Sequence, residues 1–181
     1  MIFNKLMETE KIPDNENVIY REAVRAIAFN FDGQVVMVRS KMDDYQFPGG
    51  GIEGAESQLE TLRREAMEEA GIVIKEDAQL VGIVEERRKS LEIDDVYFVM
   101  TSAYYLCDVK SYVDVQLEEY EKEWGYTPAE VTIEEAYRKN VDVLQQQKQI
   151  NQGVERDTLV LKCLLDHQDE LLAMRNVYAR N

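Results

Sequence analysis

Histidine, cysteine and proline are all scarce in this chain of 181 residues, which has one, two and three of them, and no apolar run is long. Each scarcity removes a class of protein. Cys107 and Cys163 are too few for a disulfide scaffold. Neither has a second cysteine or a histidine at zinc-finger spacing, His167 being the only histidine, so both read as small buried hydrophobes. No stretch approaches the roughly 20 apolar residues of a membrane span, and the start MIFNKLMETEK lacks the basic and apolar regions of a signal peptide. A cytoplasmic protein with no membrane partner is the expectation. Positive charge is also in short supply, with 21 Lys and Arg against 36 Asp and Glu, a formal net charge of −15. Such a surface repels nucleic-acid backbones and anionic lipid, so no polymeric nucleic acid is expected as a partner. Small phosphorylated substrates stay compatible with it if bound cations invert the local field.

The apolar share of 45% is that of a globular protein, which argues against global disorder. The length fits one domain. The reading is an N-terminal arm or edge segment over 1–19, a single domain over 20–170 and a C-terminal tail over 171–181. Arg21–Phe31 predicts a first strand, Asp32-Gly33 a hairpin turn, and Gln34–Arg39 a returning strand. A short segment ends at Phe47-Pro48, and Gly49-Gly50-Gly51 follow, a run that permits close backbone approach to a ligand. A helix is expected from Ala55 or Glu56 to Ala70, ended by Gly71. Strands are then expected at Ile72–Ile74, Leu80–Glu85 and Asp95–Cys107. Thr132 and Glu135 form a capping box for a short helix, Ile133–Arg138. A glutamine-rich connection follows, then a helix over Val154–His167. Its apolar stripe leaves room for a homodimer, although packing on the same chain is the simpler use. Strands on both sides of a mid-chain helix, without internal repeats, predict a mixed α/β domain.

The mid-chain helix carries the chemical signal. At 100° per residue, Glu65, Glu68 and Glu69 fall within one arc of about 100°, while Leu59, Leu62, Ala66 and Ala70 form a separate apolar face. Arg64 lies beside Glu68. Clustered like charges cost stability on a helix, and hard cations such as magnesium or manganese relieve that cost by accepting carboxylate oxygens. An acidic helix face alone is more often solvated surface. The residues around it change that balance.

The stretch Gly50–Ile72 resembles the Nudix box: glycine, five residues, Glu, seven residues, Arg-Glu, two residues, Glu-Glu, one residue, Gly. Gly50, Glu56, Arg64, Glu65, Glu68, Glu69 and Gly71 occupy every fixed glycine and polar position. Ala66 is smaller than the family's usual aliphatic residue, and Gly54-Ala55 stands where many members have Pro-Gly. The resemblance to this MutT-like family implies an α/β/α sandwich with a mixed sheet and a loop–helix–loop catalytic motif. It implies hydrolysis of a phosphoanhydride bond, in a nucleoside triphosphate or a nucleoside diphosphate linked to another moiety, by water activated by Mg2+ or Mn2+. Glu65, Glu68, Glu69 and the backbone carbonyl of Gly49 resemble the metal ligands, Glu56 a supporting carboxylate, and Arg64 the residue that orients the glutamates. Glu68 is one candidate base. A carboxylate from a distant loop is another, with Glu118, Glu119, Glu121 and Glu123 compatible and their spacing unable to choose among them.

Substrate contacts are less legible. Arg39 and Lys41 at a strand end, Tyr45 and Phe47 before the glycines, and Arg87 and Arg88 after Leu80–Glu85 are candidates for gripping phosphate or stacking on a base of a small nucleotide. Each competes with an ordinary strand-end or core role. An ADP-ribose or sugar-nucleotide pyrophosphatase and a non-catalytic nucleotide sensor remain the rival readings.

Overall fold

The computed structural model describes residues 1–9, 11–13, 17–90, 93–146 and 152–178. In chain order the elements are β1 (Phe3–Glu8), β2 (Asn17–Phe29), β3 (Val35–Arg39), β4 (Tyr45–Gln46), α1 (Gln58–Ala70), β5 (Ile72–Ile74), β6 (Gln79–Lys89), β7 (Val96–Tyr112), α2 (Glu119–Trp124), β8 (Thr127–Val131), α3 (Ile133–Gln146), α4 (Gln152–Asp166) and α5 (Gln168–Tyr178).

The Val-, Tyr- and Phe-rich run of β7 organises the sheet. It pairs in parallel with β2, from Asn17 opposite Val96 to Phe29 opposite Asp108, and antiparallel with β6 and β5. The strand order β1-β6-β7-β2-β3-β4, with β5 joined to β7 and β8 to β3, makes one mixed sheet. Alternation along β2 assigns its side chains to two layers. Val24, Ala26 and Ala28 join Leu62, Ala66 and Ala70 of α1 in one buried cluster. Ile27 and Phe29 join Val160, Leu161 and Leu164 of α4 and Leu171 of α5 in the other. Helices therefore cover both faces of the sheet, giving the mixed α/β/α sandwich. Cys107 and Cys163 are free and buried. Among the described residues no helix is long and apolar enough to cross a membrane.

Several boundaries differ from the sequence reading, each for a physical reason. The acidic helix α1 begins at Gln58, because Ser57 takes the cap position and forms a capping box with Glu60; Ala55 and Glu56 lie before it. Arg87, Arg88 and Lys89, beyond the expected strand end at Glu85, lie within β6, since β7 offers backbone partners to all three and β1 to Arg87. α3 runs to Gln146 instead of stopping at Arg138. Asn140 explains the extension: fully buried, it accepts from Tyr45 N at 2.7 Å and donates to Tyr45 O at 2.8 Å, completing the backbone bonding of short β4. Of the glutamines expected in a connection, Gln145 and Gln146 end α3 and Gln152 begins α4, while 147 and 149 lie outside the described residues.

Candidate active site

β3 pairs with β2 only at Ala28 and Phe29. Farther along β2 the glycine loop takes a strand's place. Ala26 N donates to Pro48 O at 2.8 Å, Val24 N to Gly50 O at 3.0 Å, and Ile52 N to Glu22 O at 3.0 Å. This path needs glycine. Gly49 has φ +147°, and a Cβ there would overlap the Val24 carbonyl; a Cβ at Gly50 would overlap the carboxylate of Glu65. The loop is thereby pressed between β2 and the acidic face of α1.

Glu65 and Glu69, one turn apart on α1, are both buried. Burial pushes the Glu65 carboxyl above its ordinary range and raises that of Glu69 further, against the opposing pull of the Arg25 charge and the Gly49 amide. Gly49 N donates to Glu69 Oε2 at 2.8 Å. Arg64 holds the outer part of the set. Its Nε and Nη2 take both oxygens of Glu56 at 2.9 and 3.0 Å, and Nη1 reaches Glu65 at 2.8 Å and Glu68 at 3.2 Å. This fork depresses the Glu56 carboxyl to about 2, with Thr61 Oγ1 adding a bond at 2.9 Å.

After β7 the chain is stitched back onto α1, Val113 N donating to Gly71 O and Gln116 N to Glu68 O, both at 2.8 Å. It then enters α2, and the loop carboxylates separate there. Glu121 is buried and faces Glu69, whereas Glu119 and Glu123 are exposed. Glu118 is exposed but lines, with Glu53, Glu65, Glu68 and Glu121, a hollow of about 120 Å3 backed by Gly50 and Gly51. Five carboxylates and a glycine backbone form a hard-oxygen surface suited to magnesium or manganese. Yet among the described residues no three such groups converge on one metal position. The bonds explain why: Arg64 draws Glu65 and Glu68 toward itself, and Gly49 N–H engages Glu69. Arg25 likewise donates to the Gly49 carbonyl, but a carbonyl oxygen has a second lone pair. The donor chemistry fits a hard divalent ion, and binding one requires these carboxylates to turn from arginine toward it.

A larger cleft of about 280 Å3 adjoins the hollow and shares Gly50, Gly51 and Tyr120 with it. Glu69, Arg25, Gln46 and Phe47 line one part and Glu86, Arg88, Met100 and Arg156 another. Arg156 is buried, bonded to Tyr104 Oη at 2.8 Å and ion-paired with Asp157 at 3.0 Å and Glu86 at 3.2 Å. Asp157 also accepts from Phe47 N at 2.9 Å, so α4 braces the chain entering the glycine loop.

Of the substrate candidates read from sequence, Phe47 and Arg88 reach this cleft. Tyr45 is in the core. Arg39 pairs with Asp43, Lys41 bonds Glu123 O and lies over Trp124, and Arg87 pairs with Glu85 and Glu8. None of these three lines either hollow. Arg25, Glu86 and Arg156 were missed. Arg25 gave no local signal because it sits inside an apolar strand, and Arg156 because it lies on a helix read as amphipathic packing.

Comparison with known proteins adds four observations. An "RNA pyrophosphohydrolase" of Halorhodospira halophila is 44% identical over 54 residues, 29% of this chain and 30% of the relative. "Nudix hydrolase 13, mitochondrial" of Arabidopsis thaliana is 44% identical over 64 residues, 34% of this chain and 31% of the relative. The chain thus matches less than a third of either relative's length. The solved structure of a NUDIX hydrolase from Nitrosomonas europaea, 19% identical, covers 83% of this chain and 89% of its own with a TM-score of 0.55, a likeness of fold. Residues 19–148 match the family model of the NUDIX domain, well over half of the chain. The chain belongs to the Nudix family.

Proposed function

We propose that the protein hydrolyses a phosphoanhydride bond in a nucleoside triphosphate, or in a nucleoside diphosphate linked to another moiety, with Mg2+ or Mn2+ as cofactor. The observation that carries this reading is the buried pair Glu65 and Glu69 against the Gly49–Gly50 backbone, beside a cleft of nucleotide-compatible chemistry. In it Glu65, Glu68, Glu69 and the Gly49 carbonyl hold the metal, Glu56 and Arg64 orient the glutamates, and Gly50 and Gly71 keep loop and helix end in register. When bound, the metal neutralises phosphate charge and lowers the pKa of water.

The remaining work falls to the chain. Glu121 is the base in this reading, taking the proton from the attacking water on a carboxylate oxygen. Its support is burial beside Glu69, at the border of the acidic hollow. Arg25, within reach of Gly49 O and lining the cleft, supplies positive charge to the phosphate chain. Tyr120, where the two hollows meet, and Tyr126, in the larger cleft, help to exclude water, both hydroxyls being kept protonated mainly by burial. The likeness to RNA pyrophosphohydrolases supports this bond type and, being limited to less than a third of their length, leaves the nucleotide open.

The test is turnover across nucleoside triphosphates, ADP-ribose, sugar nucleotides and dinucleoside polyphosphates under titrated magnesium, with products identified by mass. Glu65→Gln and Glu69→Gln should retain the fold while losing turnover and divalent-ion dependence. Full activity in both variants, or no turnover of any compound by the metal-loaded protein, would overturn the reading.

A further inference from the structure

The charge of −15 makes any unpaired cluster of arginines on this protein unusual. Arg39, Arg64, Arg87, Arg156 and Arg175 each form an ion pair with a carboxylate. Arg21, Arg25, Arg63, Arg88 and Arg138 form none among the described residues, and of these Arg21, Arg25 and Arg88 share one face of the sheet. Strand register shows this: Arg25 stands opposite Tyr104 and Arg21 opposite Met100, while across β7 Arg88 stands opposite Phe98. Towards Tyr104 the face is covered by α4, whose Arg156 and Asp157 bond the tyrosine hydroxyl. Towards Phe98 it opens: Met100 and Phe98 are half-buried and Arg21 is exposed.

Phe98 receives two cations. The guanidinium of Arg21 lies 5.6 Å from its ring centroid and that of Arg88 5.5 Å. Contact with a ring restrains a guanidinium while leaving N–H donors available for bidentate bonding. Bringing two like charges to one ring costs electrostatic energy, which an anion bound within reach of both offsets. The cleft that contains Glu69 and Arg25 extends to Arg88 and Met100, and Phe98 and Arg21 adjoin that end of it, Phe98 opposite Arg88 and Arg21 opposite Met100. Four residues of extended strand separate Arg21 from Arg25, about 13 Å. That backbone separation is several times the spacing of adjacent phosphates in a single polyphosphate chain, so an anion held at Arg21 is a separate phosphate carried beyond the nucleoside.

We propose that Arg21 and Arg88, restrained on Phe98, form a distal anion subsite for a second phosphate that the substrate carries beyond its cleaved phosphoanhydride. The inference rests on the phosphoanhydride reading above and narrows it to nucleotides whose distal moiety bears its own phosphate, as a terminal phosphomonoester or as the phosphodiester of a second nucleotide.

The test is equilibrium binding at fixed ionic strength with magnesium, in adenosine and guanosine series. It compares the nucleoside 5′-monophosphate, the nucleoside 3′,5′-bisphosphate and the 5′-phosphorylated dinucleotide. At least one second-phosphate ligand should bind about ten-fold or more tightly than the monophosphate. A gain for the bisphosphate alone identifies a monoester as the source, and a gain for the dinucleotide identifies a diester. The double variant R21A/R88A should lose the preference, and R21K/R88K should keep part of it, because lysine retains charge without the fork. Equal affinities in the native protein, no binding of any ligand, or a preference that survives in R21A/R88A with native circular dichroism would overturn the proposal. Because binding requires no turnover, a positive result here combined with no hydrolysis of any nucleotide would overturn the catalytic reading alone.

Discussion

The backbone amide of Gly49 donates to Oε2 of Glu69 at 2.8 Å, so the glycine loop and the acidic helix share a hydrogen bond at the centre of the site. Two neighbouring glycines should therefore fail in different ways. Gly49→Ala faces a fixed backbone oxygen at Val24 and an unfavourable φ, so it should destabilise the fold by roughly 1–3 kcal/mol or more. Gly50→Ala meets only the movable end of Glu65. It should leave the melting temperature nearly unchanged while lowering turnover and divalent-ion affinity at least ten-fold, by the order of effect that misoriented ligands produce. Thermal melts and metal titrations of the two variants check this contrast.

Metal-free protein should lose stability as pH rises. Glu65 and Glu69 have folded pKa values raised by burial, so the folded state holds more protons than the unfolded one above the ordinary glutamate value. Stability then falls between that value and the folded pKa values, and the penalty is fully present above them. Glu69→Gln should raise the metal-free melting temperature at pH 8 while abolishing activity. Magnesium should raise the native protein's melting temperature more at pH 8 than at pH 5. A metal-free melting temperature that climbs steadily from pH 5 to pH 8 would contradict this. Glu56 contributes in the opposite sense: its depressed carboxyl adds stability present above the ordinary value, lost as pH falls towards about 2.

Arg64 meets three carboxylates with one planar group. Arg64→Lys should keep the fold and one partner while giving up the fork to Glu56. A loss of roughly 10–100-fold in metal affinity or turnover is expected, the range for residues that orient ligands. Restoration of the native value by lysine would mean that charge alone is needed.

The loop acids should separate cleanly. Glu121→Gln should lower kcat by roughly 10²–10⁴, the contribution of a positioned base. Glu119→Gln and Glu123→Gln, exposed and outside both hollows, should stay within about two-fold of native under the same assay, as expected for surface substitutions. Similar losses in all three would remove Glu121 from the base role.

What was legible in the chain follows from how local each feature is. Gly50, Glu56, Arg64, Glu65, Glu68, Glu69 and Gly71 lie within one loop and one helix, where spacing translates directly into geometry, and the turn from Gly71 into Ile72–Ile74 matches the expectation. The tertiary contributions were hidden. β1, the edge strand, depends on pairing with β6, and its residues Asn4, Lys5 and Glu8 leave arm and edge segment undistinguished until that partner is known. Glu121 differs from Glu119 and Glu123 only through the approach of α2 to α1. Arg39 looked like a phosphate ligand beside the glycines, but Asp43, at φ 71°, turns the chain so that its carboxylate takes the guanidinium. Arg88 looked like a residue beyond a strand end because the sheet there is built from distant strands.

The stitches from Gln116 to Glu68 and from Val113 to Gly71 couple α2 to the end of α1. Glu121 is consequently carried with the helix bearing Glu65 and Glu69, and α1, the stitched segment and α2 form one body. Arg21 and Arg88 stand outside that body, on strands whose pairing does not depend on it. A lineage could thus exchange the residues around Phe98 while inheriting the glutamate-bearing half unaltered.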